Sequence, residues 1–184
     1  MERYNNLKDK VVLVDKDDNE IGLSPKLEAH QKGLLHRAFS LFVFNSKGEL
    51  LLQKRAINKY HSGGLWSNTC CSHPFPEEMI MSAATRRLFE EMGMDCELHP
   101  VFNFIYKAEL DNGLTEYEFD HVIFGISNSL PLINHDEVSD WKYISIENLI
   151  LDMDNNPNNY TEWLKICLKK VISHIEYGEL DIAS

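Results

Sequence analysis

Cysteine is sparse in this chain, and the little there is does not pair by pattern. Cys70, Cys71, Cys96 and Cys167 form no Cys-x-x-Cys unit, and adjacent cysteines bridge poorly, so neither a disulfide framework nor a four-cysteine zinc site is indicated. Positive charge is also short, with 18 Lys and Arg against 29 Asp and Glu and a formal net charge of -11. Such a field repels a nucleic-acid backbone or an anionic membrane, and an anionic ligand needs a local basic pocket or a metal to overcome it. Long apolar runs are missing too. No stretch approaches the roughly 18–20 residues of a membrane span, and MERYNNLKDK at the start holds no apolar signal core. The expectation is a soluble, cytoplasmic enzyme or binding protein with neither nucleic acid nor membrane as partner. Internal repeats, low-complexity tracts and dividing linkers are absent, so 184 residues at 43% hydrophobic read as one domain over 1–184.

What is present alternates in type. Val11 to Val14 reads as a short strand, DDNE as a polar turn, and Ser24-Pro25 as the cap and first position of a helix that stops at Gly33. Two apolar strands, His36 to Phe44 and Glu49 to Gln53, flank Asn45-Ser46-Lys47-Gly48, a hairpin signal. Residues 55–65 read as a loop that leads into a short strand near Trp66. From Glu77 to Met92, Ile80, Ala84, Leu88 and Met92 recur four apart on one helix face, and Gly93 stands where a helix commonly ends. Strands near 96–109 and 115–126 are joined by Asp111-Asn112-Gly113, and a strand near 138–144, a short helix from Ser145 and a longer one after Pro157 complete an α+β plan.

The chemistry gathers in a few places. Asn68-Thr69-Cys70-Cys71-Ser72-His73-Pro74 sets two cysteines beside a histidine. Glu116 and Glu118 lie two apart in TEYEF, which on a strand puts both carboxylates on one face and Tyr117 and Phe119 on the other. Each acid alone reads equally as a solvated strand face, and His30, His36 and His73 each as an ordinary packed or surface residue. Together, three imidazoles and two carboxylates offer five ligands to a divalent ion of the Mn or Zn type, if the fold brings them together. On the long helix, Arg87 and Glu91 are four apart. They read as a surface ion pair or as a phosphate-binding arginine beside a Mg-binding carboxylate.

These residues resemble a family. RRLFEEMGM, with Glu78 eight residues before Arg86, is similar to the Nudix box, Gly-x5-Glu-x7-Arg-Glu-U-x-Glu-Glu-x-Gly-U with U apolar. Ser72 stands where the box has glycine, and Arg87 where it has a glutamate; a Nudix hydrolase gathers its metals on that glutamate-rich helix. AHQKGLLHRAFSLFVFNSKGELLLQKRA, GLWSNTCCSHP, EEMG, TEYEFDHVIF and DEVSDWKYIS resemble, in order, the blocks of a non-hydrolytic branch, type 1 isopentenyl diphosphate isomerase, over about residues 11–170.

The resemblance implies a Nudix-type fold, a mixed β-sheet flanked by helices, and interconversion of isopentenyl and dimethylallyl diphosphate in isoprenoid biosynthesis. It implies Cys71 and Glu118 as catalytic groups, with Tyr106 orienting or relaying a proton and Trp163 facing a carbocation. It implies Mn2+ or Zn2+ on His30, His36, His73, Glu116 and Glu118, and a diphosphate-bridging Mg2+ on Glu91. Lys26, Arg55, Lys59 and Arg87 match positions that hold the diphosphate of a small allylic or homoallylic substrate. Cys70 is then a packed neighbour, and a monomer or a homodimer is expected. A Nudix pyrophosphohydrolase of a nucleoside diphosphate derivative is the competing reading.

Overall fold

The structure, a computed structural model, describes residues 9–176. The opening residues read above as lacking a signal core, and both ends of the expected 1–184 domain, lie outside the described residues.

The chain runs β1 (Lys10–Val14), β2 (Glu20–Pro25), α1 (Lys26–Lys32), β3 (His36–Phe44), β4 (Leu50–Arg55), β5 (Trp66–Ser67), β6 (Cys70–Ser72), α2 (Ile80–Met92), β7 (Leu98–Glu109), β8 (Thr115–Ile126), β9 (Val138–Ile144), α3 (Ile146–Asn155) and α4 (Glu162–Glu176). The described strands form one mixed sheet, with helices on both faces. Strand β3 organises it. On one side β8 runs parallel to it from His36↔Glu118 to Phe44↔Ile126. On the other side its partners change along its length: β1 at His36, β6 at residues 39–41, and β4 at Phe44.

A strand covered on both faces has no polar side to show, which is why β3 reads as a nearly continuous apolar run. Phe39, Leu41 and Val43 pack toward Ala84, Leu88 and Met92 of α2. Phe42 and Phe44 point the other way, among Leu149 of α3 and Leu164, Leu168 and Val171 of α4. Burying a side chain such as Leu88 in this way contributes about 1.5–3 kcal/mol. Helix α2 ends at Gly93, whose φ of 61° and N–H to Phe89 O close the last turn. A Cβ at that position would meet Leu132 O at 2.4 Å, so close approach as well as conformation requires glycine.

Four expectations shift. Ser24 and Pro25 belong to β2, paired with Val11 and Lys10, and the helix starts one residue later with no side-chain cap. The edge position of β2 tolerates Pro25, and its Gly, Ser and Pro content hid the strand. Helix α2 starts at Ile80 rather than Glu77, because Glu77 takes a φ of 67° and the Glu78 carboxylate caps the N–H of Phe75 at 2.8 Å. The hairpin at residues 45–48 closes, but β3 and β4 pair only at Phe44↔Leu50. Beyond that pair they part, and residues 66–72 fill the gap, β5 against β4 and β6 against β3. Thr69 bridges the opening: Val43 N–H donates to its hydroxyl oxygen (2.9 Å), which donates to Leu51 O (2.6 Å). The fourth shift is β6 itself, three residues too short to show a period.

Candidate active site

Period-two alternation on β6 separates the adjacent cysteines. Cys70 is fully buried in the core against α2, while Cys71 faces a pocket on the α4 side of the sheet. Asn68 fixes this strand by donating to Leu41 O (3.1 Å) and Cys70 O (3.0 Å). Burial pushes the Cys71 thiol up to about 12, against Arg55 nearby, which pulls it down. It therefore holds its proton at neutral pH.

Glu118 stands on the far side of β3, on β8, and lines the same pocket. Together with His30 of α1, His36 at the start of β3 and His73 just after β6, it offers ligand atoms that all lie within 4.8 Å of one another. The Nε2 atoms of His36 and His73 are 3.1 Å apart, and Glu118 Oε1 lies 3.0 Å from His73 Nε2 and 3.5 Å from His36 Nε2. Carbonyl oxygens fix two tautomers. Lys26 O accepts from His30 Nδ1 at 2.7 Å and Leu34 O from His36 Nδ1 at 2.8 Å, which turns the Nε2 lone pairs of both rings toward the centre. His30 Nε2 is buried with no hydrogen-bond partner. Converging lone pairs with an orphaned nitrogen fit a divalent cation, whose binding requires neutral imidazole and ionised carboxylate. Burial drives the pKa of His30 down to about 4 and that of His73 well below the ordinary value. For Glu118, burial is outweighed by the adjoining His36 and His73 rings, which hold the carboxyl well below the usual range.

Glu116 does not join that group of four. It stands with His30 and His61, whose ligand atoms also lie within 4.8 Å of one another. Tyr106 on β7 ties the acids together, its hydroxyl 2.6 Å from Glu118 Oε2 and 3.1 Å from Glu116 Oε2. Burial, and then the charge of Glu118, raise the pKa of Glu116 well above the carboxylate range. Trp163 of α4 closes the pocket, its indole N–H donating to Ser67 Oγ at 2.8 Å. Lys26 and Arg55 also line this pocket, and the Arg55 guanidinium lies 5.1 Å from the Trp163 ring centre.

A second, more open cavity adjoins the first across Lys26, Ser72 and His73. Lys26, Lys59, Arg86 and Arg87 make it cationic. Lys59 and Arg87 both reach Glu137 Oε2, the latter at 3.2 Å. Arg87 also pairs with Glu91, whose other oxygen accepts from Gln53 Nε2 at 2.9 Å. Arg86 is held apart by Glu78, with two 2.7 Å hydrogen bonds. Of the thirteen residues singled out from sequence, ten line the two joined cavities, His30 and His36 lie fully buried beside them in the His/Glu group, and Glu91 sits behind Arg87. Sequence reasoning missed His61, Glu137, Gln53 and Ser67. The glycine-rich loop hid His61, and no spacing rule marks an isolated polar residue such as the other three.

Among the described residues no helix is long and apolar enough to cross a membrane. Residues 34–164 match the NUDIX domain model. A crystal structure of a Deinococcus radiodurans protein superposes with a TM-score of 0.71 at 18% identity, covering 88% of this chain and 98% of that one. The MutT protein of Methanosarcina mazei gives 0.61 at 17% identity, covering 74% and 91%. Both likenesses concern the fold. In sequence, the chain is 53% identical over 167 residues to "Isopentenyl-diphosphate Delta-isomerase 2" of Aromatoleum aromaticum, covering 91% of this chain and 88% of that protein. It is also 53% identical over 171 residues to the protein of the same name from Photorhabdus laumondii, covering 93% and 94%. With a NUDIX domain over most of its length and relatives of this similarity, the chain belongs to the isopentenyl-diphosphate Delta-isomerases of the NUDIX family.

Proposed function

We propose that the cavity between Cys71 and Glu118 is where this isomerase moves the double bond of isopentenyl diphosphate to give dimethylallyl diphosphate. The single observation that carries the reading is that a thiol and a carboxylate, from strands on either side of β3, line one small pocket closed by an indole. Moving the double bond requires a proton added at the terminal carbon and another removed one carbon beyond the resulting cation. Cys71 Sγ delivers the first. Glu118 receives the second, with the Tyr106 hydroxyl bonded to the accepting oxygen Oε2. Exchange with solvent then returns a proton to sulfur and frees the carboxylate, so the enzyme ends as it began.

The intermediate is a tertiary carbocation, which water would capture. Trp163, 3% exposed, excludes water and presents its ring, an arrangement worth roughly 2 kcal/mol or more for a desolvated cation. The substrate is a small-molecule diphosphate. Its phosphates are assigned to the adjoining cationic cavity, where Lys26, Lys59 and Arg87 compensate locally for the net acidity of the chain.

A divalent cation held by His30, His36, His73 and Glu118, with Glu116 beside them, would supply fixed positive charge that orients Glu118 and lowers its proton affinity. Mixed imidazole and carboxylate donors suit Mn2+ or Zn2+. Glu91 offers one carboxylate, the share a protein commonly gives Mg2+ when phosphate and water complete its shell. The excess of acidic residues argues against nucleic-acid or anionic-membrane partners, and a cytoplasmic monomer or homodimer is part of the same reading.

The competing hydrolase reading separates in one experiment. Isopentenyl diphosphate is incubated with metal-loaded protein in deuterated water and the products are followed by proton NMR. Dimethylallyl diphosphate carrying deuterium is expected. Release of inorganic phosphate, or an unchanged substrate with both Mn2+ and Mg2+ present, would overturn the assignment of this cavity.

A further inference from the structure

We propose that His61 is a further ligand of the His/Glu metal centre, entering from the Glu116 side. The inference rests on the reading of His30, His36, His73 and Glu118 as a metal centre, and it adds a residue from an element that supplies none of those four.

The ligand atoms of His30, His61 and Glu116 lie within 4.8 Å of one another. Donors bound at roughly 2.0–2.2 Å to one ion stand about 3–4.3 Å apart, so a small inward adjustment makes this trio a coordination set. His30 Nδ1 is occupied by Lys26 O, so the atom His30 shares with both groups is Nε2, which is buried and unpartnered. The two groups therefore meet at one nitrogen. Glu116 and Glu118, one from each group, also meet at the Tyr106 hydroxyl. His36, His73 and Glu118 from one group and His61 and Glu116 from the other then surround the one lone pair of His30 Nε2 as a single shell.

The orientation of His61 suits this place. The side chain is 5% exposed, its ring stacked on His30 at 5.8 Å between centroids and 28° between planes. Tyr60 and Trp163 meet it edge-on at 4.4 and 5.8 Å. Nδ1 faces Ser62 Oγ at 3.3 Å, and Nε2 has no hydrogen-bond partner among the described residues. The backbone holds the ring in position: His61 O accepts from Arg55 Nη2, and Ser62 N–H donates to the Asp111 carboxylate at 3.1 Å. His61 lines the pocket, so its Nε2 is left open to a ligand entering there. The competing role is that of a wall touching only substrate.

The test measures metal rather than turnover. His61→Ala and His61→Gln are compared with the parent and with His30→Ala. Mn2+ and Zn2+ affinities are measured by chelator competition, and the visible absorption of the Co2+-loaded proteins is recorded. Circular dichroism and urea midpoints of the metal-free proteins establish folding, and the glutamine variant keeps most of the side-chain volume. At least a tenfold loss of affinity in both His61 variants, with altered Co2+ bands, is expected. Parent-like affinity and bands in the His61 variants, with the ion lost in His30→Ala, would overturn the role of His61 alone. A parent that binds no ion would overturn the metal centre beneath it as well.

Discussion

Tyr106 Oη lies 2.6 Å from Glu118 Oε2 and 3.1 Å from Glu116 Oε2, so one hydroxyl spans two carboxylates that β8 presents on one face. Burial and the nearby acids raise the pKa of Tyr106 well above the phenol value, so it remains a donor. Tyr106→Phe removes a hydrogen bond to a charged group, worth about 1.5–3 kcal/mol. A fall in kcat of roughly 10- to 100-fold is expected, with KM nearly unchanged. Steady-state kinetics checks it, and a rise in KM alone would argue against a role in proton transfer.

Cys71→Ala should abolish isomerisation while leaving metal content and the urea midpoint nearly unchanged, because the thiol faces the pocket and its polar contact is a 3.8 Å approach to Ser67 Oγ. Cys70→Ala should do the reverse: activity survives, but stability drops by about 1–3 kcal/mol as a filled core position empties. Turnover and denaturation measured on both variants test the two faces of β6.

Trp163→Phe keeps an aromatic ring but loses the N–H bond to Ser67 and part of the π-face. A decrease in kcat of roughly 5- to 30-fold follows if 1–2 kcal/mol of cation stabilisation is lost. Full rate in the variant would remove the indole from the mechanism.

Arg87→Gln should raise KM for the diphosphate by about tenfold or more with a smaller change in kcat, since Arg87 lines the cationic cavity and not the pocket of Cys71. Glu137 accepts from both Lys59 and Arg87, in the place a phosphate oxygen would take. Glu137→Gln should therefore lower KM or leave it unchanged. A large rise in KM would show that Glu137 positions the cations instead of competing for them.

The metal-free protein should lose stability as acid is added. Burial lowers the pKa of His30 to about 4 and that of His61 to about 3, against an unfolded value near 6.5. Between those values these two imidazoles bind more protons in the unfolded chain than in the folded one, so their contribution to stability rises with pH across the window and is fully present above 6.5. Urea midpoints of the metal-free protein from pH 7 to pH 4 should fall steadily, and His30→Ala should flatten the slope.

Much of this was legible in the sequence for physical reasons. Strand β3 shows as a continuous apolar run because both of its faces are buried, helix α2 as a four-residue period because it buries one, and Gly93 marks a position that a side chain cannot occupy. The alternation in TEYEF placed Glu116 and Glu118 on one face, where Tyr106 meets both. The hairpin at residues 45–48 was visible, but not the parting of its strands, because that depends on a distant hydroxyl, Thr69, standing in for two ladder hydrogen bonds. The meeting of Lys59 and Arg87 at Glu137 was equally hidden: residue 137 is fixed only once β9 pairs with β4. His61 sat beside a Gly-Gly pair that announces only a loop.

The Thr69 bridge also sets the tempo of the site. Cys71 rides on a strand inserted into the sheet, so its backbone amide should exchange with deuterated solvent only when the sheet itself opens. The wall formed by residues 56–65 hangs on scattered turn contacts and on Asp111, and should exchange through local fluctuation. The thiol side of the cavity is then expected to be its slowly exchanging side, and the histidine-bearing loop across from it the quickly exchanging one.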